Sequence, residues 1–209
     1  MTLLGRSLGT AGARDDPAGS LLLILPLYYH NLVGSFLFII FGLLVLGLAL
    51  WAVSNIIAIL GGSPPVHTGL ATSHEIIKSI ALTPKSTLMD LGSGTGNLLI
   101  AARKQYNTNT VGYELSPFPY LVSRLRTLFS HGKVKIHYAS VFEADLGQAT
   151  HIFIYLLPKM LLTLLPKIKK EARVGTKIIT RGFPLPDWQP IKKLTVGREK
   201  TNIFIYQVK

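Results

Sequence analysis

Asp90-Leu91-Gly92-Ser93-Gly94-Thr95-Gly96 decides how this 209-residue chain is read. Just before it, Ser86 to Met89 has the composition of a short buried strand. Just after it, Asn97-Leu-Leu-Ile-Ala-Ala-Arg-Lys104 reads as the start of a helix. A strand that turns through glycines into a helix sets backbone N–H groups, and the positive helix terminus, against a ligand. Glycine permits the unusual backbone angles and the close approach that such a turn needs.

Spacing separates two ligand classes that use this turn. The dinucleotide fingerprint is G-x-G-x-x-G; here the third glycine comes one residue early and Asn97 stands in its place. Asp90 followed by G-x-G-x-G instead resembles motif I of the class I S-adenosylmethionine-dependent methyltransferases. Thr110-Val-Gly-Tyr-Glu114 reads as the end of a second strand about 20 residues on, where a carboxylate can take both ribose hydroxyls.

Charge is distributed unevenly. The chain carries 22 Lys and Arg against 10 Asp and Glu, a net charge of +12. Only Arg6, Arg14, Asp15 and Asp16 precede residue 68, so the whole excess lies in the rest. A body this basic suits an acidic partner, either nucleic acid or anionic lipid headgroups. With no cysteine there is no disulfide, no thiol nucleophile and no cysteine zinc site. The histidines His67, His74, His131, His137 and His151 show no metal-ligand spacing, so no metal is expected.

Residues 1–20 are expected to form a poorly ordered tail. From Pro17 to His74 there is no Asp, Glu, Lys or Arg, and Leu32 to Leu60 is nearly unbroken apolar sequence. As a helix that run would measure roughly 44 Å, against a hydrocarbon layer of ~30 Å. Residues 21–60 are therefore expected to be a membrane anchor with one transmembrane helix at about 32–60. Leu21 to Leu27, broken by Pro26, would lie in the interface. Lys78, Lys85 and a basic domain follow, which puts the bulk on the cytosolic side by loop charge. The membrane would be a bacterial inner membrane, or the mitochondrial inner membrane in a eukaryote.

Gly61-Gly-Ser-Pro-Pro65 opens a linker at 61–72, and the catalytic domain is expected over 73–209. Ser73 offers an N-cap for a helix from Glu75 to Leu82. Helices are also expected at Pro119–Ser130 and Lys159–Arg173, the latter interrupted at Pro166. Strands are expected at Lys133–Tyr138, His151–Leu157 and Lys177–Thr180, then a hairpin from Ile191–Val196 and Thr201–Val208. Strands alternating with helices and closing on a hairpin imply an α/β fold, a mostly parallel sheet with an antiparallel edge.

Four runs occur in order: the glycine turn, Val111-Gly-Tyr-Glu-Leu115, Tyr155-Leu-Leu-Pro158 and Arg181-Gly-Phe-Pro-Leu-Pro-Asp-Trp188. With the apolar anchor they resemble the small membrane-anchored methyltransferases. The eukaryotic members of that group methylate lysines of the adenine nucleotide translocase and the ATP synthase c subunit. The resemblance implies a Rossmann-like seven-strand sheet with the last strand antiparallel, and S-adenosylmethionine as cofactor. It implies that Asp90, Gly92, Ser93, Gly94, Thr95, Gly96 and Asn97 hold the methionine end and Glu114 the ribose. Many relatives carry an acid after the third strand for the adenine amine; here the matching residue is Ser140, a weaker acceptor, which shifts adenine recognition toward backbone near Val141.

The reaction site of a doubly wound sheet lies beyond the strand carboxyl ends at the switch point. Tyr155, Leu156 and Pro158, in the tetrapeptide ending that neighbouring strand, are the expected acceptor-pocket residues. Tyr155 could orient an amine through its hydroxyl or its ring face. The tetrapeptide lacks the polar residue and double proline usual for nucleobase amines, which argues against a nucleic-acid acceptor. The expected partners are thus a lipid bilayer and a membrane-protein lysine. An RNA or lipid-like small-molecule acceptor is the enzyme-class alternative, and a non-catalytic membrane scaffold the other. Oligomeric state leaves no mark on the sequence.

Overall fold

A computed structural model of the chain describes residues 17–60, 68–128 and 134–209. The chain divides into two compact units, Met1–Gly47 and Leu48–Lys209. The expected 1–20 tail falls largely outside the described residues, as do most of the linker, the end of the helix expected to Ser130 and the start of the strand expected at Lys133.

The first helix, α1 (Pro17–Leu60), is continuous. It starts earlier than the expected span and passes through Pro26. An apolar run offers the backbone no other partners, and one hydrogen bond lost at a proline costs less than a broken helix. Tyr29–Ile59, 31 residues, is long and apolar enough to cross a membrane, and its most apolar stretch is not buried in the protein. Apolar side chains all round an uncovered helix are the pattern of a membrane span.

The second unit is built on seven strands: β1 (Thr87–Leu91), β2 (Asn109–Glu114), β3 (Val134–Tyr138), β4 (His151–Ile154), β5 (Lys177–Arg181), β6 (Lys192–Val196) and β7 (Thr201–Gln207). Their order across the sheet is β3-β2-β1-β4-β5-β7-β6. The first five run parallel and β7 enters antiparallel between β5 and β6. This is the expected fold class. The chain moves outward from β1 to β3 and then returns to β4, so the sheet's crevice opens between β1 and β4.

Four further helices cover the sheet: α2 (Leu70–Ser79), α3 (Asn97–Tyr106), α4 (Pro117–Leu128) and α5 (Pro158–Glu171). Strand alternation sends successive side chains to opposite layers. Met89, Leu91, Ile152, Ile154 and Ile178 pack with Leu161, Leu164, Leu165 and Ile168 of α5. Leu88, Phe153 and Ile179 pack with Ile76, Ile77 and Ile80 and with Leu98, Leu99 and Ala102 of α3. Strands buried on both faces explain the near-continuous apolar runs in the sequence.

Three local expectations change. Helix α2 starts at Leu70 with Gly69 as N-cap, inside the expected linker, and Ser73 lies buried within it. Ser73 N–H donates to Gly69 O at 2.9 Å, so the helical ladder has claimed the residue expected to cap it. Helix α5 is also unbroken at Pro166. Leu162, whose carbonyl loses its donor there, lies on the exposed side at 56 % exposure, where water can replace the bond.

Candidate active site

The glycine turn between β1 and α3 has all three glycines at positive φ: 87° at Gly92, 53° at Gly94 and 78° at Gly96. A side chain is strained at each of these angles. The turn is tied down from inside the protein. Gly92 and Ser93 N–H donate to Tyr113 O at 2.9 and 3.0 Å, and Gly96 N–H to Ser93 O at 2.9 Å. Gly94 N–H donates to Glu114 Oε2 at 2.7 Å. The turn's N–H groups are thus largely spent on the fold, and the turn acts as a shaped wall more than as a nest of free donors.

Gly112 makes this close approach possible. A Cβ there would stand 2.7 Å from both Leu99 Cδ1 and Ser93 Oγ. Sequence reading passed over this glycine because its backbone is ordinary; only the packing of the turn on β2 reveals the need.

Glu114 ends β2 with its carboxylate turned to the glycine bend, 9 % exposed. Oε1 accepts from Ser116 N–H at 2.8 Å, so each oxygen has one donor and spare lone pairs. Asp90, on β1, is 4 % exposed. Burial first, and then the charge of Glu114, push its carboxyl well above the usual carboxylate range. A ligand with cationic groups and vicinal hydroxyls fits this pair: cations relieve the carboxylate repulsion, and hydroxyls can donate to Glu114. S-adenosylmethionine has both, so the residues present fit that cofactor.

One pocket gathers Asp90, Gly92, Ser93, Gly94, Thr95, Asn97, Glu114, Ser140, Val141, Tyr155 and Leu156. Gly96 is buried at the start of α3 and Pro158 is exposed at the start of α5; neither lines it. Pro158 therefore serves α5 as its first residue, where its missing N–H costs nothing. Leu156, 5 % exposed, packs toward Gly92.

Two expected cofactor residues have local duties. Asn97 Nδ2 donates to Thr68 O at 2.8 Å, and its Oδ1 accepts from Arg126 Nη1 at 2.6 Å. Arg126 Nη1 also donates to Thr95 O at 2.8 Å, fastening the turn to α4. Ser140 caps the 3-10 turn Val141–Glu143: its Oγ accepts from Phe142 N–H at 3.3 Å and its own N–H donates to Glu143 Oε1 at 2.7 Å. The capping box uses one lone pair of the Ser140 hydroxyl.

Sequence reading missed several pocket residues: Thr68, Leu115, Ser116, Pro119, Phe153 and Met160, with Ile57 and Ala58 from the end of α1. Ser54, 4 % exposed on the same stretch of α1, accepts from Phe118 N–H at 2.7 Å. Phe118 lies in the first turn of α4, whose N–H groups lack helical partners. A distant serine thus supplies the cap that α4's own flank, Leu115-Ser116, does not. Nothing in the local sequence signals it.

Trp188 packs edge-on against Tyr206, 6.1 Å between ring centres, and belongs to the core and not to the pocket. Tyr206 in turn accepts from Leu185 N–H at 2.8 Å. Among the described residues no cluster of three or more His, Asp or Glu could hold a metal. His74 meets Gln105, His137 stacks on Tyr113, and His151 is bound in the core.

A seven-strand sheet in this order, with an acid and a glycine turn after β1 and a second acid closing β2, defines a class I methyltransferase domain, whose cofactor is S-adenosylmethionine. Comparison with known proteins agrees. Residues 90–192 match the ANTKMT methyltransferase domain. It is 34 % identical over 108 residues to the ATP synthase c-subunit lysine N-methyltransferase of Homo sapiens, covering 51 % of this chain and 46 % of that protein. It is 29 % identical over 136 residues to the adenine nucleotide translocase lysine N-methyltransferase of Mus musculus, covering 64 % and 58 %. The chain spans about half the length of these two relatives. In fold it is similar to an RNA methyltransferase of Salinibacter ruber solved with S-adenosyl-L-homocysteine: TM-score 0.64, 24 % identity, 68 % of this chain and 94 % of that one.

Proposed function

We propose that this chain is a membrane-anchored protein-lysine N-methyltransferase acting on a lysine of a membrane protein close to the bilayer. The observation that carries the reading is the end of α1. Ile57 and Ala58, at the end of the apolar stretch, are walls of the same pocket that Asp90, Glu114 and Tyr155 line. An active site built partly from the end of a membrane-spanning helix works at the depth of that membrane's surface, where tethering raises the effective concentration of targets. The named activities of the two relatives support a lysine acceptor. The basic flank after α1 supports a domain on the cytosolic side, or its mitochondrial equivalent, of an inner membrane.

When bound, the cofactor supplies a methyl group on a sulfonium, which leaves with the C–S electron pair going to sulfur. The chain's own residues have the tasks of alignment and drying. Glu114 would hold the cofactor's hydroxyl edge and Asp90 its cationic end. Tyr155 and Leu156 form the acceptor side, with Ile57, Ala58 and Met160 excluding water around it. Lysine must arrive neutral, although a free lysine side chain titrates only at ~10.4, and an apolar pocket favours the neutral form.

Membranes incubated with the full chain and radiolabelled S-adenosylmethionine test the proposal. Label should enter a membrane protein and map to lysine, and Glu114→Ala should abolish it by weakening cofactor binding. Label recovered in RNA or lipid would overturn the acceptor assignment, and equal labelling of soluble proteins would overturn the role of the anchor.

A further inference from the structure

Arg181 ends β5 at 2 % exposure, with its guanidinium carbon 4.5 Å from the centre of the Tyr155 ring. Nη1 donates to Thr68 Oγ1 at 2.9 Å, and Nη2 to Glu199 Oε2 at 3.3 Å and Thr201 Oγ1 at 3.5 Å. Nε has no partner among the described residues. Glu199 is 80 % exposed, so water screens its side of the pair and the guanidinium keeps most of its positive field. A buried charge compensated this incompletely is costly. Two of the groups it touches, Tyr155 and Thr68, line the pocket.

We propose, resting on the lysine-methyltransferase reading, that Arg181 is a positioning residue of the acceptor pocket. It clamps the Tyr155 ring, and its buried positive charge selects the neutral form of the incoming amine. One face of Tyr155 is already occupied by a cation, so the ring does not offer that face to an ammonium. An ammonium brought to the other side of the ring stands about 8 Å from the guanidinium. At an effective dielectric of about 20, that repulsion shifts its protonation by about one and a half pH units. The other ionisable groups facing this region are Asp90 and Glu114, on the cofactor's side, Tyr155 itself, and Glu199 beyond Arg181. The cofactor's cationic groups offset the first two.

The test is the pH profile of kcat for the full chain acting on membranes, which reports groups in the loaded complex. Arg181→Met should move the acidic limb up by about one and a half pH units and leave the thermal shift caused by S-adenosylhomocysteine unchanged. Arg181→Lys should keep the limb near its original place while lowering kcat, because a point charge covers the ring poorly. Glu199→Gln, on the surface, should move the limb down by a smaller amount. An Arg181→Met profile that overlays the wild type overturns the inference; should that variant not fold, an unmoved or upward-moving limb in Glu199→Gln overturns it. Wild-type protein that labels no lysine sinks the underlying reading as well, so the two failures are told apart.

Discussion

Asp90 and Glu114 line one pocket, and burial first, then the charge of Glu114, sets the electrostatics of Asp90. Both raise the Asp90 carboxyl above the usual range, and a cationic ligand beside it favours the ionised form. Cofactor affinity should therefore rise with pH until Asp90 is ionised in the free protein, and then level off. Calorimetry of S-adenosylhomocysteine binding in two buffers of different ionisation enthalpy should show net proton release, and Asp90→Asn should abolish it. Equal heats in both buffers would show that Asp90 is already ionised. At this scale the sequence was most informative where chemistry needs one residue type: an acid at each strand end, glycine at each positive φ. It did not signal the hydrogen bonds that Asn97 and Ser140 make within the fold. Both stand where a cofactor residue was expected, and both are bound to their neighbours by hydrogen bonds that only the folded chain brings within reach.

Elements were mostly legible from periodicity, since each strand and helix writes its own pattern of apolar residues. Their ends were less so. Helix α2 absorbed its expected cap, and α5 absorbed a proline, because packing against α3 and the sheet outweighs the local preference of one residue. The end of α1 is the larger case. Its apolar sequence announces a span, but says nothing of Ser54 capping α4 or of Ile57 and Ala58 closing a pocket. Ser54→Ala should cost about 1 kcal/mol, as for other N-cap losses. Hydrogen exchange should show faster exchange at the Phe118 amide and the first turn of α4, with the sheet unaffected. Unchanged protection at Phe118 would mean that water serves as well as the serine.

For the whole molecule, the sheet has chemistry at one end and stability at the other. His151 opens β4 at the end opposite the pocket, 6 % exposed, with Nε2 3.0 Å from Ile80 O and Nδ1 2.9 Å from Thr150 Oγ1. Burial, and then the charge of Lys177, lower its pKa from 6.5 to about 4. The native state thus holds the imidazole neutral, while the unfolded chain protonates it near 6.5. Its contribution is complete above that value and declines as pH falls from 6.5 towards 4, by up to roughly 3 kcal/mol. Denaturant unfolding across this window should show the decline, and His151→Gln should flatten it. The basic surface also proves less uniform than its composition suggests. Lys167 pairs with Glu171 at 2.8 Å, and Lys177 donates to Ile80 O at 3.3 Å, so both cations are engaged in the fold.

The sequence by itself determined the sheet, the cofactor turn with its two acids, and the apolar helix, because each depends on residues within one or two elements. A positive φ, a strand alternation or an uncharged run is a local property and is written locally. Only the tertiary structure decided that Arg181 stands behind Tyr155, that Gly112 admits the turn, and that the tail of α1 walls the pocket. Those contacts join residues far apart in the chain, and what creates them is the packing of whole layers, which no single stretch encodes.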